Sequence, residues 1–289
     1  MATAVEGAPL LGHPRLAMAV AVDLEEATAH LSALGARFAD LVESIERPGQ
    51  RAHGLDWTVA ETAVHVLQGL RYYSACIRGE DTSAVAPPRP EETFSAYVAR
   101  ENKSQIDAEP ERDPARIAAR IRPALQELVN AAREAGPDAI GVFAAGYSED
   151  TTTSICTFLG ELVVHGYDIA RATGAKWTVD RRAAVLAVYS TTAAAPLALN
   201  RDAAAGRDIH VKIRLRHGSP FSLRFRDGRV WTEVTDERPD VHVRADPLAY
   251  LMVGYGRWTL VTPVLRGQLL VWGRKPWVLL QVPKMFLNP

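Results

Sequence analysis

The sequence predicts an α+β chain, a helical bundle followed by a small α/β unit, and three observations carry that prediction. Apolar residues recur at helical spacing through the first part of the chain. Just after Arg207 the pattern switches to strict alternation, and a short polar, Ala- and Gly-rich segment, Asn200 to Asp208, separates the two periodicities. The expected division is residues 1–203 and 207–289. It suits the length, because 289 residues with 47% hydrophobic content exceed one typical domain and can build a sizeable core.

The elements follow in order. After a leader containing Gly and Pro, Leu16 to Glu46 is expected as a long helix, with Leu24, Ala27, Leu31, Leu34 and Phe38 on one stripe and Pro48-Gly49 ending it. The next helix opens at Trp57-Thr58-Val59-Ala60-Glu61, where Thr58 can cap and Glu61 completes a capping box, and it should run to about Arg78. The proline-rich stretch Asp81 to Pro90 is a loop; helical patterns return near Glu92 to Ile106 and Pro114 to Arg133, and Gly136 to Gly146 is another loop. Thr151 to Thr173 is a helix ended by Gly174, and Asp180 caps one more that Pro196 limits. Four or five such helices imply a bundle.

Beyond the switch, Ile209, Val211, Ile213 and Leu215 alternate with His210, Lys212, Arg214 and Arg216, the mark of a half-exposed strand. Phe221, Leu223 and Phe225 repeat it, and Asp227-Gly228 signals a two-residue hairpin into Val230 to Val234. Val241 to Arg244 is a fourth strand, Asp246-Pro247 opens a helix, Leu269 to Trp272 is a strand, and Pro276 begins a last helix.

Composition excludes several functions. No apolar run reaches the ~18 residues of a membrane span, and no basic segment followed by an apolar core marks a signal peptide, so a cytoplasmic protein is expected. A net charge of −1 argues against a general nucleic-acid binder. The charge is uneven, however: residues 1–206 carry 19 Lys and Arg against 27 Asp and Glu, whereas 207–289 carry 14 against 7. The basic half could attract an anionic substrate or dock on the acidic half, or the asymmetry could lie on solvated faces. Two cysteines, Cys76 and Cys156, make neither a disulfide framework nor a thiolate-rich metal site and are expected as buried thiols. There is no Gly-rich phosphate loop and no Gly-x-Ser-x-Gly elbow.

Metal chemistry is the strongest candidate. Glu161 and His165 stand four residues apart on one expected helix, so their side chains point about 40° apart and can reach one ion. Alone, such a pair is more often a solvated polar stripe. Here it borders the arc filled by Ile155, Phe158, Leu159 and Leu162, and His65 borders the matching arc of its own helix, so both face a cleft. Imidazole and carboxylate donors suit Zn²⁺ or a similar cation, and three protein ligands with an open fourth position characterise catalytic sites. Gly69 either leaves room beside His65 or serves close helix packing. Cys76, roughly 16 Å further along the axis, is too far to share the ion.

Two segments, Trp57 to His65 (WTVAETAVH) and Gly160 to Gly174 (GELVVHGYDIARATG), resemble the signature segments of the mycothiol-dependent maleylpyruvate isomerase family, a branch of the DinB-like metal-binding bundles. The second is the more specific. Residues 209–289 resemble, more weakly, the sterol-carrier-like domain often appended to this bundle. The resemblance implies a DinB-like four- or five-helix bundle followed by a small α/β sterol-carrier-like domain, with His65, Glu161 and His165 as ligands of a divalent metal, zinc being the expected ion. It also implies mycothiol as cosubstrate and a small-molecule electrophile, possible anionic character included, as substrate. The thiolate adds to a cis-alkene conjugated with a carbonyl, the new single bond rotates, and elimination gives the trans isomer. Two other readings remain open: a mycothiol S-transferase of detoxification or secondary metabolism, and a non-enzymatic carrier of an apolar ligand with a structural metal.

The remaining polar residues are less telling. Asp168, one turn beyond His165, either orients a ligand or is a surface carboxylate paired with Arg171, and the second is slightly favoured. Arg71, Tyr72 and Tyr73 line the cleft or simply pack. His13, His30, His53, His210, His217 and His242 show no metal spacing, and His210 and His242 fall on the polar phase of strands, where solvation is expected.

Overall fold

The computed structural model describes residues 10–11, 22–82 and 85–287. Helix α1 (Leu24–Glu43) starts where the Asp23 carboxylate accepts the Glu26 N–H at 2.9 Å. The expected start at Leu16 and the following residues to 21 lie outside the described residues, as does His13, and the helix stops three residues short of Glu46. Helix α2 (Val59–Arg78) carries the capping box in full: Thr58 Oγ1 accepts the Glu61 N–H at 3.2 Å while Glu61 Oε2 accepts the Thr58 N–H at 2.8 Å. Helices α3 (Phe94–Ala108), α4 (Pro114–Ala135), α5 (Thr151–Thr173) and α6 (Arg181–Ala193) follow. Helices α1, α2, α4 and α5 pack on one another, with α3 against α2 and α6 against α5.

The stretch Gly136 to Gly146 is not wholly a loop. It contains β2 (Ile140–Phe143), which pairs antiparallel with β3 (Tyr147–Asp150), and β1 (Leu10–Leu11) lies parallel along the other side of β3. Four-residue strands are too short to establish an alternation, and the pairing of β3 with β1 is distant in sequence, which is why the pattern gave no warning.

After a single turn of helix, α7 (Arg201–Ala204), a five-stranded sheet forms from β4 (Asp208–Leu215), β5 (Phe221–Arg226), β6 (Arg229–Glu233), β7 (Val241–Ala245) and β8 (Leu269–Gly273). The order is β6-β5-β4-β7-β8, with β4 and β7 parallel and every other pair antiparallel. Asp227 and Gly228 both take positive φ, 52° and 68°, as a two-residue hairpin turn requires. Helices α8 (Pro247–Gly254) and α9 (Val261–Leu265) connect β7 to β8. The last helix expected from Pro276 is instead two 3-10 turns, Pro276–Leu280 and Val282–Met285. Pro283 lacks the N–H that a continuing helix would use there.

His210 departs from the alternation: it is buried, and its Nε2 lies 2.9 Å from Ser222 Oγ on the neighbouring strand. The pattern assigns His210 to a face, but not what covers that face. His242 is half-buried, stacked on Trp272.

One apolar core runs without a break from Leu31, Phe38 and Phe158 in the bundle to Ile213, Phe225 and Val243 in the sheet. Helix α8 packs on α6, which joins the second half of the chain to the last helix of the bundle. No helix among the described residues is long and apolar enough to cross a membrane.

Candidate metal centre

Helices α2 and α5 pack side by side and carry the three candidate ligands to one point. His65 Nε2 lies 3.3 Å from Glu161 Oε2, and His165 Nε2 lies 3.2 Å from the same oxygen. Among the described residues this trio forms a group able to hold a metal ion, with its donor atoms within 4.8 Å of one another. A four-coordinate ion with bonds of about 2.0–2.1 Å holds its ligand atoms about 3.3 Å apart, so the two measured separations are compatible with one shared ion. The donor set, two imidazoles and a carboxylate, fits the same ion.

The electrostatics favour positive charge at this point. Burial alone would raise the Glu161 carboxyl, but hydrogen bonds from His165 and His65 outweigh it and hold the group well below the ordinary carboxylate range. Burial likewise opposes protonation of His165, yet its hydrogen bonds to Asp168 and Glu161 prevail and raise it to about 9. At His65 burial wins and lowers the imidazole, whose buried Nδ1 has no partner. The Trp57 ring packs over both imidazoles, with centroids 5.1 Å from His65 and 6.3 Å from His165, and the two imidazoles meet edge to face at 4.9 Å.

Asp168 is not a surface carboxylate. It is fully buried, and its Oδ2 lies 3.3 Å from His165 Nδ1. Arg257, from the segment after α8, donates Nε to Oδ1 at 3.0 Å and Nη2 to Oδ2 at 2.7 Å. Burial works to raise the Asp168 carboxyl, but these partners hold it below its ordinary value. It therefore accepts the Nδ1 proton of His165 and orients the ring; with an ion bound, Nε2 would be the nitrogen left to face it. Helical spacing placed Asp168 on the face of His165, but its guanidinium partner is 89 residues away and left no local signal.

Other candidates resolve simply. A Cβ on Gly69 would lie 2.9 Å from the Phe158 ring, so this glycine serves helix packing rather than room for an imidazole. Tyr72 accepts the Ala144 N–H at 2.8 Å, and Tyr73 stacks edgewise on Phe143 and Phe158. Arg71 lies 3.9 Å from Glu109. Cys76 and Cys156 are buried free thiols. Glu149, which the sequence did not single out, is buried at the end of β3, where Thr157 Oγ1 donates to its Oε1 at 3.3 Å and its Oε2 has no partner; burial raises it to about 8.

His65, Glu161 and His165 stand in the wall of a cavity of about 1110 Å³ that both halves of the chain enclose.

A family model described as the mycothiol maleylpyruvate isomerase N-terminal domain matches residues 12–170. A search among curated proteins gives no match. Among solved structures, the crystal structure of a histidine-to-alanine mutant of the mycothiol-dependent maleylpyruvate isomerase superposes with a TM-score of 0.50 at 16% identity, covering 82% of this chain and 91% of that one. A crystal structure of the mycothiol-dependent maleylpyruvate isomerase itself gives 0.49 at 16% identity over the same shares. At such identity the likeness is one of fold.

Proposed function

This chain belongs to the mycothiol maleylpyruvate isomerase family, and from that premise we propose that it is a metal-dependent, mycothiol-dependent isomerase of an alkene conjugated with a carbonyl. The observation that carries the reading is the convergence of His65 Nε2, Glu161 Oε2 and His165 Nε2 at 3.2 and 3.3 Å in the wall of a cavity. These three residues would hold one divalent ion, with zinc best suited to the donors. When bound, such an ion supplies the charge that keeps a thiol in its thiolate form at neutral pH.

The remaining work falls to the chain itself. Asp168 holds the Nδ1 proton of His165, and Arg257 holds Asp168. Trp57 shields one side of the imidazoles from water. The thiolate adds to one alkene carbon as the π pair moves onto the carbonyl oxygen; the former double bond turns; the pair returns and expels the thiolate. No thiol is consumed. In this reading residues 1–203 are the metal-binding bundle, residues 207–289 are the α/β unit that braces it through Arg257, and the enzyme works in the cytoplasm.

The test joins metal content to thiol balance. Protein purified without chelator should hold one divalent ion per chain and should isomerise a cis-enone only with mycothiol present and with the thiol titre unchanged. Stoichiometric loss of thiol would point to S-transfer, and absence of any bound metal would remove the mechanism.

A further inference from the structure

We infer that the electrophile carries a long apolar body, with its reactive carbon at the triad and the body laid between the bundle and the sheet. This deepens the function proposed above and rests on it only for the reactive end.

The volume is the first observation. At about 1110 Å³ the cavity lies just above the range of roughly 300–1,000 Å³ usual for small-molecule sites. An electrophile of a few carbons would leave most of that space wet or empty against apolar walls.

The walls are the second. Beyond the triad the cavity is lined by Tyr72, Tyr73, Phe143, Tyr147 and Phe158. The sheet contributes Val211, Ile213, Leu223 and Val243 to the lining. Strand register puts these four on one face, since Val211 stands opposite Leu223 and Ile213 opposite Val243. The C-terminal 3-10 turns add Leu279 and Val282, and Leu280, which also lines the cavity, is 66% exposed and so marks its mouth. The four sheet residues are only 1–5% exposed, so the sheet bounds the cavity with closely packed side chains.

Charge is the third. The cations on the lining include Arg257 and Lys103, and both are already held, by Asp168 and Asp107. Lys284 is exposed. An anionic group would therefore be met at the triad or by the exposed Lys284, whereas an apolar body gains from every methylene buried between.

The experiment measures binding and turnover separately on the metal-loaded full chain. Saturated n-alkyl methyl ketones, which have no alkene for conjugate addition, are titrated calorimetrically without thiol over chain lengths from about four to about twelve carbons. Affinity should rise about fourfold per methylene until the cavity is filled. The Ala198→Trp change, at an incompletely buried position on the lining, should weaken the longest ketone about tenfold more than the shortest. The matching cis-enones are then assayed with mycothiol. Affinity that is flat with chain length, or no binding at all, overturns the inference whatever the turnover. Affinity that rises while no enone is turned over supports the apolar site and refutes the thiol-dependent isomerase reading, so the two failures are distinguishable.

Discussion

Asp168 and Arg257 form a two-pronged ion pair, at 3.0 and 2.7 Å, between a fully buried carboxylate on α5 and a guanidinium that follows α8. The same carboxylate lies 3.3 Å from His165 Nδ1, so the second half of the chain reaches the candidate metal ligands through a single intermediary.

Removing the guanidinium should therefore cost twice. Arg257→Ala leaves the Asp168 carboxylate buried without its cation, a loss of about 3–5 kcal/mol of stability by denaturant unfolding. It should also weaken metal binding by about 10–100-fold, because His165 loses the anchor of its tautomer. Arg257→Lys restores charge but not the two-pronged geometry and should fall between the two. Wild-type metal affinity in a folded Arg257→Ala protein would contradict this role.

Glu149 gives the fold a pH dependence of defined sign. Its pKa in the folded protein, about 8, lies above that of the unfolded chain because the carboxyl is buried. Below the unfolded value both states hold the proton and the stability is fully present. Between that value and about 8 only the folded state holds it, so stability falls by about 1.4 kcal/mol per pH unit and levels off above. Glu149→Gln removes the titrating group. From pH 5 to pH 8 the variant should gain on the wild type by a few kcal/mol, read from urea unfolding at the two pH values; a constant difference would contradict the assignment.

How much of this was legible depends on the range of the interaction. The capping box of Thr58 and Glu61 was readable because both partners lie within one turn, and Glu161 and His165 because helical spacing places them on one face. His65 stands 96 residues from Glu161, and only its border position and the family resemblance linked them. Arg257 and Glu149 were not legible: what distinguishes them is a partner or a burial set by packing of distant segments. His210 shows the same limit, since alternation gave its face while Ser222 and its neighbours determine that it is buried. The strand pair β2–β3 was too short for its period to show.

The protein's own cysteines should be dispensable for turnover. Burial raises Cys76 to about 12, against a hydrogen bond with Tyr72 that lowers it, and raises Cys156 further, so neither is a thiolate at neutral pH. Cys76→Ser and Cys156→Ser should keep mycothiol-dependent activity largely intact, with stability lower by about 1 kcal/mol from the buried hydroxyl. Complete loss of activity in a folded, metal-loaded variant would point to a nucleophile borne by the chain.

The central claim is that His65, Glu161 and His165 hold an ion that takes up the sulfur of the cosubstrate. Cobalt substitution tests it most directly. Metal-free protein should bind one Co²⁺ per chain, and His165→Ala should lose most of it. Addition of mycothiol should then produce a sulfur-to-cobalt charge-transfer band and release a proton, because the ligand is the thiolate. In Glu161→Gln the band should shrink in proportion to the cobalt retained. A cobalt spectrum that stays unchanged while mycothiol is independently shown to be bound would contradict the account.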